Sequence, residues 1–205
     1  MPIIERKPAQ AFKRFHKHIN KLVVTVLPIP AHVRLAWTGR ERTATMEFVR
    51  GDGIGTALPL TTRYGPLYLT MLQVLETEPE LARFRLKTKE YSYRVLDQDD
   101  PRANAILRWE YVSDAAPDGF CRHHLQIRTG IGVGAGVHDL NRSHTPTGWV
   151  TIEELLRSLI VDFGVLPKTR NWPEVLAASE KAFYEEFTSK RYRAPRLRLL
   201  PGGRQ

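Results

Sequence analysis

Three segments of this chain alternate apolar and polar residues with a period of two, separated by turn-forming residues, and that pattern commits much of the fold to an antiparallel sheet. Across residues 83–96, Tyr91, Tyr93 and Val95 fall on one side and Glu90, Ser92 and Arg94 on the other, because successive strand side chains point oppositely. Asp97-Gln98-Asp99-Asp100-Pro101 then makes a turn. Residues 105–112 send Leu107, Trp109 and Tyr111 one way and Arg108 and Glu110 the other. After a second turn at Asp114-Ala115-Ala116-Pro117-Asp118-Gly119, the chain returns through residues 121–128. There Cys121, His123, Leu125 and Ile127 share the apolar side, and Arg122, His124, Gln126 and Arg128 share the other. Matching the apolar sides of neighbouring strands gathers Arg108, Glu110, Arg122, His124 and Gln126 onto one polar face of a meander. The adjacent histidines therefore part company. His123 reads as a core histidine with one hydrogen-bond partner. For His124 two readings stand, a loosely paired charge on a wet sheet face or a member of a site.

The clearest helix lies beyond the meander. Thr151-Ile152-Glu153-Glu154 is a capping box, and Ile152, Leu155, Leu156, Leu159, Ile160 and Phe163 recur at helical spacing until Gly164 stops them. A second helix is expected from Asn171 through Thr188, with Asn171 as cap, Pro173 in the first turn and a stripe of Val175, Leu176, Ser179, Ala182, Phe183 and Phe187. Before the meander, Phe12, Phe15, His16 and Ile19 suggest a short basic helix. Residues 22–27, 33–37 and 43–49 are rich in β-branched and aromatic residues, and Pro28, Pro30, Gly39, Gly51, Gly53 and Gly55 punctuate them as a small β region. Leu69, Leu72 and Leu75 fit a helix over residues 67–80, a strand being the alternative. Strands followed by helices predict an α+β fold, an antiparallel β-meander with helices packed on one face and a small N-terminal β region. The expected organisation is a basic extension over 1–21, an α+β domain over 22–188 with a possible β subdomain at 22–65 and the main sheet and helices at 66–188, and a basic tail over 189–205.

Two further stretches look more specific than they are. Residues 130–136 place glycine at every second position, yet lack the Gly-Lys-Ser/Thr ending and strand-to-helix setting of a phosphate loop, so a flexible or closely packed loop is expected. His138, Asp139 and His144 follow without the compact spacing of metal ligands, and no metal or cofactor is expected.

Charge points to a class of partner. The net charge is +9, and the two ends hold more than all of it. Residues 1–21 carry six basic side chains against Glu5, and residues 188–205 carry six with no acid. Such segments bind polyanions by counterion release, so nucleic acid is the first partner to consider, although short basic tails also serve only to solubilise. The longest apolar run, residues 22–31, is interrupted by Thr25, Pro28 and Pro30, whereas a membrane span needs about twenty residues. No membrane partner is expected. The lone Cys121 precludes an intrachain disulfide and reads as a packed thiol, and with no apolar signal core at the start a cytoplasmic location is expected.

Tyr91-Ser92-Tyr93, Arg108-Trp109-Glu110, residues 120–126 (Phe-Cys-Arg-His-His-Leu-Gln) and residues 150–156 (Val-Thr-Ile-Glu-Glu-Leu-Leu) together resemble the TumE-type toxins of bacterial toxin–antitoxin systems over about residues 84–163. That family shows a Tyr-x-Tyr strand, an Arg-aromatic-acid strand, a histidine-rich strand after a Pro-containing loop and a capped Leu-rich helix. Here Glu110 stands where the family favours Asp, Gln126 stands near a position usually filled by histidine, and the N-terminal β region and second C-terminal helix are additional. The resemblance implies a toxin-like protein that a partner antitoxin neutralises and that acts on RNA rather than DNA, as a ribonuclease. Metal-independent RNA cleavage needs a base, an acid and cations for the charge on phosphate, for which His124 and Glu110 are candidates for the first two and Arg108 and Arg122 for the third. Gln126, Arg128, Lys190, Arg191 and Arg193 are candidate nucleic-acid contacts. The alternatives are a non-catalytic nucleic-acid-binding module and a subunit of a larger assembly.

Overall fold

The computed structural model describes residues 4–37, 42–51, 53, 56–80, 83–113, 122–128, 130–133, 136–139 and 145–187. In chain order the elements are β1 (Ile4–Glu5), α1 (Pro8–Val26), β2 (Ala31–Ala36), β3 (Thr43–Arg50), β4 (Leu58–Thr62), β5 (Gly65–Glu80), β6 (Arg83–Leu96), β7 (Leu107–Val112), β8 (His123–Ile127), β9 (Gly130–Val133), β10 (Gly136–Asp139), β11 (Thr145–Pro146), α2 (Ile152–Val161) and α3 (Trp172–Glu186). Among the described residues, nine strands form one antiparallel sheet in the order β11-β8-β7-β6-β5-β3-β2, with β4 paired to the start of β5 and β1 to the start of β6. The expected α+β class and the meander β6-β7-β8 are both present, and β2 to β5 belong to the same sheet as the meander rather than to a subdomain of their own.

Residues 65–80 are strand and not helix. Leu67, Leu69, Met71, Gln73, Leu75 and Thr77 are all buried at every second position, whereas Leu72, which the helical spacing needs inside, is 42% exposed. The period of two overrides the three-residue spacing of Leu69, Leu72 and Leu75. Residues 22–26 are corrected the other way. They complete α1, because Phe12, Phe15, Ile19, Leu22, Val23 and Val26 continue one helical stripe into the core. The boundary expected at residue 21 thus falls inside a core helix. Residues 130–133 and 136–139 pair as a β-hairpin, β9 with β10, and not as a loop.

A bulge at Lys89 links the two halves of the long β5–β6 hairpin. Val74 pairs with Glu90 but Leu75 pairs with Thr88, so the β5–β6 register skips Lys89, whose carbonyl accepts from the Ser113 N–H at 2.8 Å. The extra residue reverses parity along β6. Tyr91, Tyr93 and Val95 are buried beyond it and Leu86 before it, all toward the helices.

Helices cover one face of the sheet. Trp149 packs edge-on to Tyr91 and against Tyr111, and the Val150 N–H donates to the Tyr91 hydroxyl at 3.0 Å. The capping box forms as expected: the Glu154 N–H donates to Thr151 Oγ1 at 3.2 Å, and the Thr151 N–H to Glu154 Oε2 at 2.9 Å. Gly164, at φ 73°, turns the chain after α2, where Arg63 from the β4–β5 turn donates to the Val161 carbonyl at 2.8 Å. Asn171 precedes α3 but makes no side-chain cap, since its Oδ1 accepts from the Thr169 hydroxyl. At the β2 edge, α1 closes the outward backbone groups of Val33. Asn20 Oδ1 accepts its N–H at 2.7 Å, and His16 Nε2 lies 2.6 Å from its carbonyl. No described helix is long and apolar enough to cross a membrane.

Candidate functional site

The pleat places Arg108, Glu110, His124 and Gln126 on one face. Pairing registers align one row across the helix-free face, Arg34, Glu47, Leu72, Ser92, Glu110 and His124, and a second beside it, Thr70, Arg94, Arg108 and Gln126. Cross-strand neighbours in such rows bring their side chains together. His124 Nε2 and Arg108 Nε each lie 3.2 Å from Glu110 Oε2, and the Ser92 hydroxyl donates to Glu110 Oε1 at 3.3 Å. One carboxylate therefore holds an imidazole, a guanidinium and a hydroxyl. Arg94 stands directly across from Arg108, and burial together with that neighbouring cation pulls its guanidinium below the ordinary arginine value.

This face is less open than an uncovered sheet. His124 is only 8% exposed and Gln126 is also buried, while Glu110 and Arg108 keep partial access to solvent. Residues 97–105 fold back against it: Arg94 donates to the Pro101 carbonyl at 2.7 Å and to the Ala103 carbonyl, and Arg128 reaches the Asn104 carbonyl at 3.1 Å and the Asp97 carboxylate. Arg128 is thus committed to the turn. Arg122 is exposed before the first residue of β8, and among the described residues no hydrogen bond or ion pair joins it to Glu110 or His124. Lys190, Arg191, Arg193, Cys121 and His144 lie outside the described residues, while His138 and Asp139 sit on β10.

His123 occupies the opposite face as parity requires. Its ring stacks on Tyr111 at 4.4 Å and 15° and meets Trp149 at 5.6 Å. The same aromatic cluster contains Tyr91, whose hydroxyl burial pushes up to about 12. A crevice of about 300 Å³ opens beside it between Trp109, Trp149, Glu154 and Leu155.

A second polar cluster lies between the helices. Ser179 on α3 donates to Glu153 Oε1 on α2 at 2.6 Å, and His18 Nε2 on α1 lies 3.1 Å from the Ser179 hydroxyl and 3.5 Å from the same Glu153 oxygen. Beside them Arg157 pairs with Glu180 at 3.2 Å. Glu153 is fully buried and Glu180 nearly so, and burial raises the Glu180 carboxyl above its ordinary value despite Arg157. The residue types are those of a hydrolytic triad, but the geometry is not. Serine and carboxylate both meet the same imidazole nitrogen, so the ring does not stand between them to relay a proton. The cluster ties α1, α2 and α3 together. Its signals in the sequence are Ser179 on the expected stripe and Glu180, four residues after Leu176 and three before Phe183.

No family model, curated protein or solved structure matches this chain.

Proposed function

We propose that the chain acts on RNA at the Arg108, Glu110 and His124 face, cleaving the phosphodiester backbone without a metal, as a toxin-like protein that a partner antitoxin neutralises. One observation carries the reading: a carboxylate and an imidazole face each other directly across adjacent strands at 3.2 Å, with a guanidinium at the same distance from the shared oxygen. Cleavage needs a base to take the 2′-hydroxyl proton, an acid to protonate the departing 5′ oxygen, and cations against the charge that builds on the phosphate oxygens. Glu110 and His124 form the proton-transfer pair, and Arg108 with the exposed Arg122 supplies the cations. Substrate approaches from the Arg108 side, where the cluster retains solvent access.

A second reading, a binding module without catalysis, is favoured by the near burial of His124 and its engagement with Glu110. The test uses the full chain, a labelled single-stranded RNA and a chelator. Wild-type protein should degrade the RNA, and His124→Ala should lose degradation while retaining binding. Wild-type protein that binds the RNA and leaves it intact would establish the binding module. Failure to bind at all would remove RNA from both readings.

A further inference from the structure

Helix α1 presents its apolar stripe to the core and shows solvent a row made by Gln10, Lys13, Lys17, Lys21 and Val24, spaced three or four residues apart. The three lysines are exposed and stand about 6 Å apart along the helix axis, from a rise of about 1.5 Å per residue. The helix contains no acid at all. Nearby carboxylates go to Arg14, which pairs with Glu5 at 3.3 Å and Glu186 at 2.8 Å, while Lys13, Lys17 and Lys21 have no acidic partner among the described residues. At the far end Lys168 donates to the Val24 carbonyl at 3.2 Å, which extends the cationic row beyond the last lysine of α1.

This arrangement works against the helix that carries it. Like charges at i and i+4 each cost about 0.2–0.5 kcal/mol. A helix needing only a solvated outer face would mix the two signs, as the Arg14 pairs do beside this row. The lysine row is not placed for stability.

We propose that the outer face of α1 is an anion track for the backbone of single-stranded RNA, with Lys13, Lys17 and Lys21 each meeting a phosphate. The inference rests on RNA being the ligand, as proposed above, and adds a surface on the helix-covered side of the sheet, remote from Glu110 and His124. The lysine spacing of about 6 Å is of the order of the distance between successive phosphates along a nucleic-acid strand.

The experiment measures binding of a fluorescent single-stranded RNA to the full chain across a salt series, for wild-type protein, the triple variant Lys13→Ala, Lys17→Ala, Lys21→Ala, and the same three positions changed to Arg. Alanine is the strongest helix former, so the triple alanine variant keeps α1 folded. Losing three phosphate contacts should reduce the slope of log K against log salt by about 2, and the arginine variant should keep the wild-type slope. An unchanged slope in the alanine variant, with RNA still bound, would overturn the track and leave RNA as the ligand. Wild-type protein without salt-dependent RNA binding would overturn both proposals. Phosphatidylserine vesicles form the second arm: if the alanine variant loses vesicle binding but keeps the RNA slope, the row belongs to a membrane surface and the inference fails.

Discussion

The Glu110–His124 contact can be weighed by a double-mutant cycle, using Glu110→Gln, His124→Ala and the pair together. At 3.2 Å and an effective dielectric constant of about 20, two unit charges attract by about 5 kcal/mol before desolvation is counted. The His124 side chain is 10% exposed and Glu110 24%, so taking the pair out of water cancels most of that attraction. What remains resembles a hydrogen bond to a charged group, worth about 1.5–3 kcal/mol when buried, and the access that Glu110 keeps brings the expectation to about 1–2 kcal/mol. Glu110→Gln alone should cost more than this coupling, since the amide keeps one oxygen where Arg108 and Ser92 each used their own, and Arg108 is left facing Arg94 without a counter-charge. Urea unfolding followed by tryptophan fluorescence reads all four proteins, with Trp109 one residue from Glu110. The cycle removes the cavity that His124→Ala creates, because that term appears on both sides. Additivity within about 0.3–0.5 kcal/mol would refute the idea that these groups form a unit, and with it the proton-transfer pair.

Gly164→Ala should destabilise by about 2 kcal/mol in urea, from a left-handed backbone that costs a side chain about 1–2 kcal/mol and from a Cβ that meets Arg63 Nε at 2.9 Å. Combining it with Arg63→Ala should recover the part due to the clash, and no recovery would show that backbone strain is the whole cost. Asn20→Ala uncovers the Val33 N–H on the β2 edge; light scattering should show concentration-dependent association that wild-type protein lacks. The Glu180 carboxyl is raised above its ordinary value of 4.5, so over that window the folded state binds more protons than the unfolded one and stability falls as pH rises through the folded value. Glu180→Gln should therefore gain on wild-type protein between pH 4 and pH 7, and a loss over the same range would contradict the assignment.

What could be read from residue order follows the reach of the interactions involved. The α2 capping box is local, and both of its bonds form. Pleat parity needs only the neighbouring strand, and it aligned Arg108, Glu110 and His124 correctly. The errors arose where two periods compete. In β5 the three leucines at helical spacing include the one that faces solvent, and the polar Gln73 and Thr77 occupy buried positions that alternation assigns to apolar groups. At the end of α1 the β-branched Val23, Val24, Thr25 and Val26 imitate a strand, and packing against the core decides for helix. The near burial of His124 and Gln126 was illegible because it depends on tertiary packing and not on the order of residues along β8. His18, Glu153 and Ser179 meet only once three helices converge, and nothing in their separations of 26 residues or more announces it.

Lys89 acts as a spacer that changes phase along one strand. Because a single surplus residue separates Leu86 from Tyr91, both reach the interior from opposite parities of the same strand. Removing it would take away one carbonyl, the acceptor of the Ser113 N–H, and yet turn one end of β6 inside out. Either Leu86 would trade places with its charged neighbours, or Tyr91 and Tyr93 would surface while Ser92 and Arg94 sank beneath the helices. At this position the count of residues matters more than their chemistry, and substitutions of Lys89 should be absorbed far more readily than its deletion.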